Sequence, residues 1–183
     1  ACILSDPDTI YETVNPYPEA ATTPSGDETL CQNSANTVYT TTAVNHAVGY
    51  YWTVSPSNAG TFTSDSVVTL TNTIDWDDAY SGNATISVKA YNDCGYGNIS
   101  GGLSIDINSV PNKAFTPSGS TSLCIDDVNT SYTTTGATNA TSYSWGITNG
   151  AGTFTGNTDE ATIGLDWENT FSGTAQIWVA GIN

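Results

Sequence analysis

An internal repeat constrains this chain more than any other feature, because self-similarity at a fixed period means one structural unit built more than once. Cys31, Tyr39 and Trp52 recur 93 residues later as Cys124, Tyr132 and Trp145. Gly60-Thr61-Phe62 recurs as Gly152-Thr153-Phe154, and Asp75-Trp76, Ser81-Gly82, Ile86, Val88 and Asn92 recur as Asp166-Trp167, Ser172-Gly173, Ile177, Val179 and Asn183. The offset shrinks by one residue twice, as loop deletions allow. After Asn92 the first copy continues through Asp93-Cys94, a Gly-rich turn and Leu103-Ser104-Ile105-Asp106-Ile107 to Pro111, whereas the second copy stops at Asn183.

The continuation that the second copy lacks resembles the N-terminus. Ala1-Cys2 would follow Asn183 as Asp93-Cys94 follows Asn92, and Thr23-Pro24-Ser25-Gly26 matches Thr116-Pro117-Ser118-Gly119, each starting eight residues before its cysteine. The expectation is a pair of repeats cut circularly, with the last strand of the second moved to the front. Two readings follow. Either 1–18 is a donor strand that completes the second repeat of a neighbouring molecule by strand addition, or the sequence is one period of a giant chain and the junction is covalent. Both give a linear, head-to-tail fibre, since a heterologous contact that does not close makes a filament.

Strands are expected throughout. Tyr50, Trp52 and Val54, then Ile86, Val88 and Ala90, recur at period two, the side-chain period of a strand. Thr, Ser, Asn and Gly fill the remainder, which suits short strands with polar outer faces and disfavours helices. Short strands separated by Gly, Pro and Asn turns are the mark of a β-sandwich. The expected division is a donor strand over 1–18, a linker over 19–26, an immunoglobulin-like domain over 27–110, a second linker over 111–119, and an incomplete domain over 120–183. Strands are expected at Thr37 to Val44, Gly49 to Ser55, Thr61 to Thr63, Val67 to Ile74, Thr85 to Tyr91 and Leu103 to Ile107.

In the donor reading, Ile3, Ile10, Tyr11 and Val14 supply the apolar side chains. Ile177, Val179 and Ile182 form the acceptor strand. Trp178 lies between inward-facing neighbours and should point outward, as a subunit contact or a carbohydrate-stacking platform. Phe115, in the second linker, is expected to pack between domains. Four cysteines in a polar, strand-rich chain read as disulfides and an oxidising, extracellular setting. They allow three pairings. Repeat logic favours Cys31 with Cys94 and Cys124 with Cys2 of the next molecule, against unpaired thiols. Whether Cys31 and Cys94 reach the same end of a sandwich depends on the strand count between Trp52 and Ile86.

The charge balance excludes some partners. Eighteen acidic residues against two lysines give −16, whereas nucleic acid and anionic membrane both require basic patches. No 18-residue apolar run is present to insert in a membrane. A lone histidine, His46, and cysteines without C-x-x-C spacing argue against zinc and against a Ser-His-Asp enzyme. No cofactor is expected. Calcium wants six to eight oxygens, for which Asp75, Asp77 and Asp78 are the candidates, against the plainer reading of solvated turns. Asp8-Thr9-Ile10 and Asp65-Ser66-Val67 mark Thr9 and Ser66 as candidate O-glycosylation sites.

The succession Leu-Cys, Tyr, Tyr-x-Trp, Ser-Gly-x-Ala-x-Ile-x-Val and Asn-x-Cys-Gly resembles the PKD-like, immunoglobulin-like repeats of large bacterial cell-surface proteins and adhesins. The resemblance covers nearly the whole chain and departs from the pattern where the second copy lacks its own Cys-Gly end. It implies a secreted, non-enzymatic structural or adhesive module. The expected function is therefore a subunit of an extracellular filament whose partners are copies of itself. The alternative is a stalk or binding segment of a giant adhesin that recognises glycans or a host protein.

Overall fold

The computed structural model describes residues 7–64, 69–124 and 130–183. Its strands are β1 (Thr29–Cys31), β2 (Thr37–Thr40), β3 (Gly49–Ser55), β4 (Gly60–Phe62), β5 (Thr71–Trp76), β6 (Gly82–Asn92), β7 (Gly95–Ile99), β8 (Leu103–Asn108), β9 (Thr130–Thr133), β10 (Ser142–Ile147), β11 (Gly152–Thr155), β12 (Thr162–Trp167) and β13 (Ile177–Ile182). There is no helix among the described residues. Contacts divide the chain into two units. One comprises Ala1–Glu28, Ala35–Asp77 and Asn83–Ile105, and the other Thr29–Ser34, Asp78–Gly82 and Asp106–Asn183.

In the first copy, one sheet has the order β1-β8-β6-β3 with β7 also on β6, and a second has the order β2-β5-β4. Alternation sets their faces. Along β8, Leu103, Ile105 and Ile107 are buried while Ser104, Asp106 and Asn108 are exposed. Along β6, Ala84, Ile86, Val88 and Ala90 are all buried. The two sheets meet at Trp52, whose ring lies 6.2 Å from that of Phe62. In the second copy, β10 pairs with β13, and β11-β12-β9 form the other sheet. Tyr132, Trp145, Ile163 and Leu165 make its core.

The repeat is reproduced contact for contact at its centre. Tyr39 stands edge-on to Trp76 at 6.2 Å, and Tyr132 to Trp167 at 6.4 Å. The Trp76 indole donates to Thr37 Oγ1 at 2.6 Å, and that of Trp167 to Thr130 Oγ1 at 2.7 Å. The Tyr39 hydroxyl donates to the Asp27 carbonyl and the Tyr132 hydroxyl to the Ser120 carbonyl, both at 2.9 Å. A Cβ at Gly26 or Gly119 would collide with the ring of Tyr39 or Tyr132 respectively, so both glycines are required for the close approach. Trp52 and Trp145 are the buried anchors of β3 and β10. Their indoles donate to the carbonyls of Thr69 and Glu160.

Four expectations need correction. The Gly-rich stretch after Cys94 is not merely a turn: Gly95–Ile99 is β7, paired with β6 through Tyr91 on Tyr96 and Lys89 on Ile99. The stretches read as linkers are docked on their own domains. Ala21 and Ala114 are buried, Ser25 bridges Thr40, and Ser118 bridges Thr133. Proline-rich sequence suggested a spacer, but the non-proline residues between the prolines supply the donors that tie the backbone down. The strand expected from Thr37 to Val44 ends at Thr40; the Thr41 amide still donates to the Leu70 carbonyl, but the Thr42 amide turns to the Thr22 hydroxyl.

The Cys31–Cys94 disulfide is not formed; both are exposed thiols. β1 runs parallel to the C-terminal half of β8, which sets Cys31 on Asn108. Cys94 sits in the turn that opens β7 and donates its thiol to the Asn15 carbonyl at 3.3 Å. Strands β7 and β8 both lie between that turn and Asn108, whereas a disulfide requires Cα atoms within about 7 Å. Cys2 lies outside the described residues, so the pairing with Cys124 has no counterpart in the structure.

Burial pushes the Tyr39 phenol above its usual range. The hydrogen bond with Thr37 offsets this in part, and the nearby Asp27 carboxylate adds to it. A raised pKa means the fold favours the neutral phenol, so this contribution is complete below the unfolded value near 10 and is lost as pH rises through the folded one. Tyr39→Phe is expected to destabilise the protein by about 1 kcal/mol at neutral pH through the lost bond to Asp27. It should also flatten the fall in stability above about pH 10. Urea denaturation at neutral and alkaline pH checks both.

Candidate functional site

In the first copy, β8 is seated between β1 and β6. In the second copy the segments flanking that position face an open groove of about 510 Å³, whose lining includes Leu123, Cys124, Trp167, Phe171, Ala175 and Ile177. The counterparts of these residues identify the place. Leu123 and Cys124 correspond to Leu30 and Cys31 of β1, and Ala175 and Ile177 to Ala84 and Ile86 of β6. The groove is therefore the position that β8 fills in the first copy.

Burial tracks the difference. Ile86 and Val88 are fully buried, whereas Ile177 and Val179 are only half-buried and Ile182 is 45% exposed. Leu30 is buried and Leu123 half-buried. Among the described residues β13 pairs with β10 and with no other strand. The segment matching β1, Ser122 to Cys124, is not a strand. Among the described residues β1 has its ladder only with β8, and without such a partner three residues have no ladder to join.

The N-terminal segment is the converse surface. Residues 7–20 form no strand, and Ile10, Tyr11 and Val14 are 83%, 92% and 91% exposed. Ile3 lies outside the described residues. Thr9 is exposed, its amide donating to its neighbour Asp8; Ser66 lies outside the described residues. Trp178 is 52% exposed and lies across Gly146, where any Cβ would strike the indole. Phe115 is also exposed, its amide donating to the Gly136 carbonyl and its carbonyl accepting from the Thr134 hydroxyl.

The calcium candidates do not converge. No group of three or more His, Cys, Asp or Glu is gathered among the described residues. Asp75, Asp77 and Asp78 are all exposed, with Asp75 set on Thr61 by the β4–β5 ladder and the Asp77 amide bonded to the Ala59 carbonyl. His46 is exposed in a turn at φ 62°, its carbonyl accepting from Asn92.

A family model described as PKD-like domain matches residues 17–105 and again 110–183. The chain belongs to the PKD-like domain family. The first match begins inside the expected donor strand and the second one residue before the expected second linker, so the matches take in both stretches read as linkers, in keeping with the docking of Ala21 and Ala114. Among solved structures, the FN1–FN3 domains of chicken CNTN1 are similar at 17% identity and a TM-score of 0.44, over 91% of this chain and 60% of that one. The two PKD-like domains thus span about 60% of the length of that structure. No curated protein shows significant similarity. Residues lining the groove were missed in the sequence apart from Ile177 and Cys124. Leu123 and Ala175 become legible only when the burial of Leu30 and Ala84 is set beside them.

If β8 makes the difference, equivalent truncations should cost unequally. Ile86→Ala is expected to lose about 2–5 kcal/mol, as for a fully buried isoleucine, and Ile177→Ala under about 2 kcal/mol in the monomer. Urea unfolding followed by tryptophan fluorescence measures both.

Proposed function

We propose that this protein is the structural, non-enzymatic subunit of an extracellular filament assembled head to tail by strand complementation. The observation that carries the reading is the groove of the second PKD-like domain, open where β8 lies in the first. A strand entering it would supply ladder bonds to β13 and apolar side chains for Ile177 and Leu123, which is β-augmentation with a side-chain register. The supporting surface is the exposed apolar segment containing Ile10, Tyr11 and Val14, taken from a neighbouring copy. A net charge of −16 fits a soluble subunit exposed to solvent along a fibre.

The alternative is that the same groove is filled by continuation of a longer chain, as in a giant surface adhesin. The occupant would then be the same kind of strand, delivered covalently. Trp178, exposed on the outer face of β10–β13, favours a glycan or protein contact in that setting.

Deleting residues 1–18 separates the readings. The expected result is loss of polymers with a folded, soluble monomer of about 17 kDa, seen by sedimentation and circular dichroism. Polymers that form undiminished without residues 1–18 would sink the strand-exchange proposal.

A further inference from the structure

Strand addition has a register, and the first copy contains the geometry that sets it. We infer, resting on the strand-complementation reading, that the donor segment of a second copy enters the groove with Thr13 opposite Ser122, Val14 opposite Leu123 and Asn15 opposite Cys124.

Three observations converge on it. In the intact copy, Thr29, Leu30 and Cys31 are set parallel on Asp106, Ile107 and Asn108. The residues that follow β8 and those that follow the donor segment occupy the same places in their domains. Ala21 and Ala114 are both buried, and Ser25 and Ser118 both bridge a threonine. Most directly, the Asn92 side-chain amide donates to the Pro16 carbonyl and that of Asn183 to the Ser109 carbonyl, each at 2.8 Å. Pro16 follows Asn15 as Ser109 follows Asn108, so Asn15 is the counterpart of Asn108 and Val14 that of Ile107.

Consequences follow for side chains. Period two puts Ile10 and Val14 on the inward face, in the places of Leu103 and Ile107, and turns Tyr11 and Thr13 outward. The inward position between them, filled by buried Ile105 in the first copy, falls on Glu12. A carboxylate in that place weakens the seal, because desolvating a charge is unfavourable. The same register sets Cys124 beside Asn15. Asn15 is 13 residues along the chain from Cys2, so the register itself makes no Cys124–Cys2 pair.

The test uses the full chain with Cys2, Cys31 and Cys94 replaced by serine, polymerised and then treated with oxidised glutathione, which accepts the two electrons and two protons lost when thiols pair. Adjacent strands lie about 4.8 Å apart, within disulfide range, so Asn15→Cys should give a ladder on a denaturing gel that reductant collapses. Cys124→Ser should abolish that ladder. Thr13→Cys should crosslink much less. Glu12→Ile should raise the melting temperature of the polymer joint. Polymers that link through Thr13→Cys, or that link through neither site, would overturn the register while leaving strand complementation standing. No polymer in any form, wild type included, would overturn both.

Discussion

The ladder that β8 makes between β1 and β6 is the constraint on which the rest of this molecule turns. Backbone N–H and C=O groups along a strand must find partners, and a strand placed between two others satisfies both of its own edges and one edge of each neighbour. In the first copy this closes the sheet. It gives β1, three residues long, a partner, and it lays the strand carrying buried Leu103, Ile105 and Ile107 beside the strand carrying buried Ile86 and Val88. In the second copy the same flanking residues face a groove, and among the described residues the β1 counterpart has no ladder and β13 keeps one partner. An exposed strand edge is a template for pairing with another chain.

What holds the second copy together despite that opening is a core that does not involve β8. Tyr132 against Trp167, the two tryptophan indole bonds and the fit of Gly119 beneath Tyr132 repeat the first copy's arrangement within a few tenths of an ångström. Ile163 and Leu165 are as buried as any residue of the first copy. The seam and the core are thus separable. The groove can stand open because the domain's centre is fixed by contacts elsewhere, and the residues at the opening belong to β13 and to the segment around Leu123.

Much of this was legible from residues. Alternation in Leu103 to Ile107 and in Ile86 to Ala90 named the inward faces, and the paired Tyr and Trp positions announced two equivalent cores. The errors have physical causes. Gly95 to Ile99 reads as a turn because glycine has weak strand propensity, yet β6 is long enough to template β7 through Tyr91 and Tyr96. Prolines disguised the docked segments around Ala21 and Ala114 as spacers. The Cys31–Cys94 pairing failed because periodicity says which residues are equivalent and nothing about which end of a strand they occupy.

The sequence by itself determined the repeat, the all-β class, the inward face of each strand and the equivalence of residues across the two copies. These follow from local periodicity and from self-similarity, which need no knowledge of where strands lie beside one another. Strand order was decided only by the tertiary structure. It put β8 between β1 and β6, set Cys31 on Asn108 away from Cys94, and left the matching place beside Ile177 open. Neighbours in a sheet are chosen by long-range backbone pairing and shared burial, and neither is written in any single stretch of the chain.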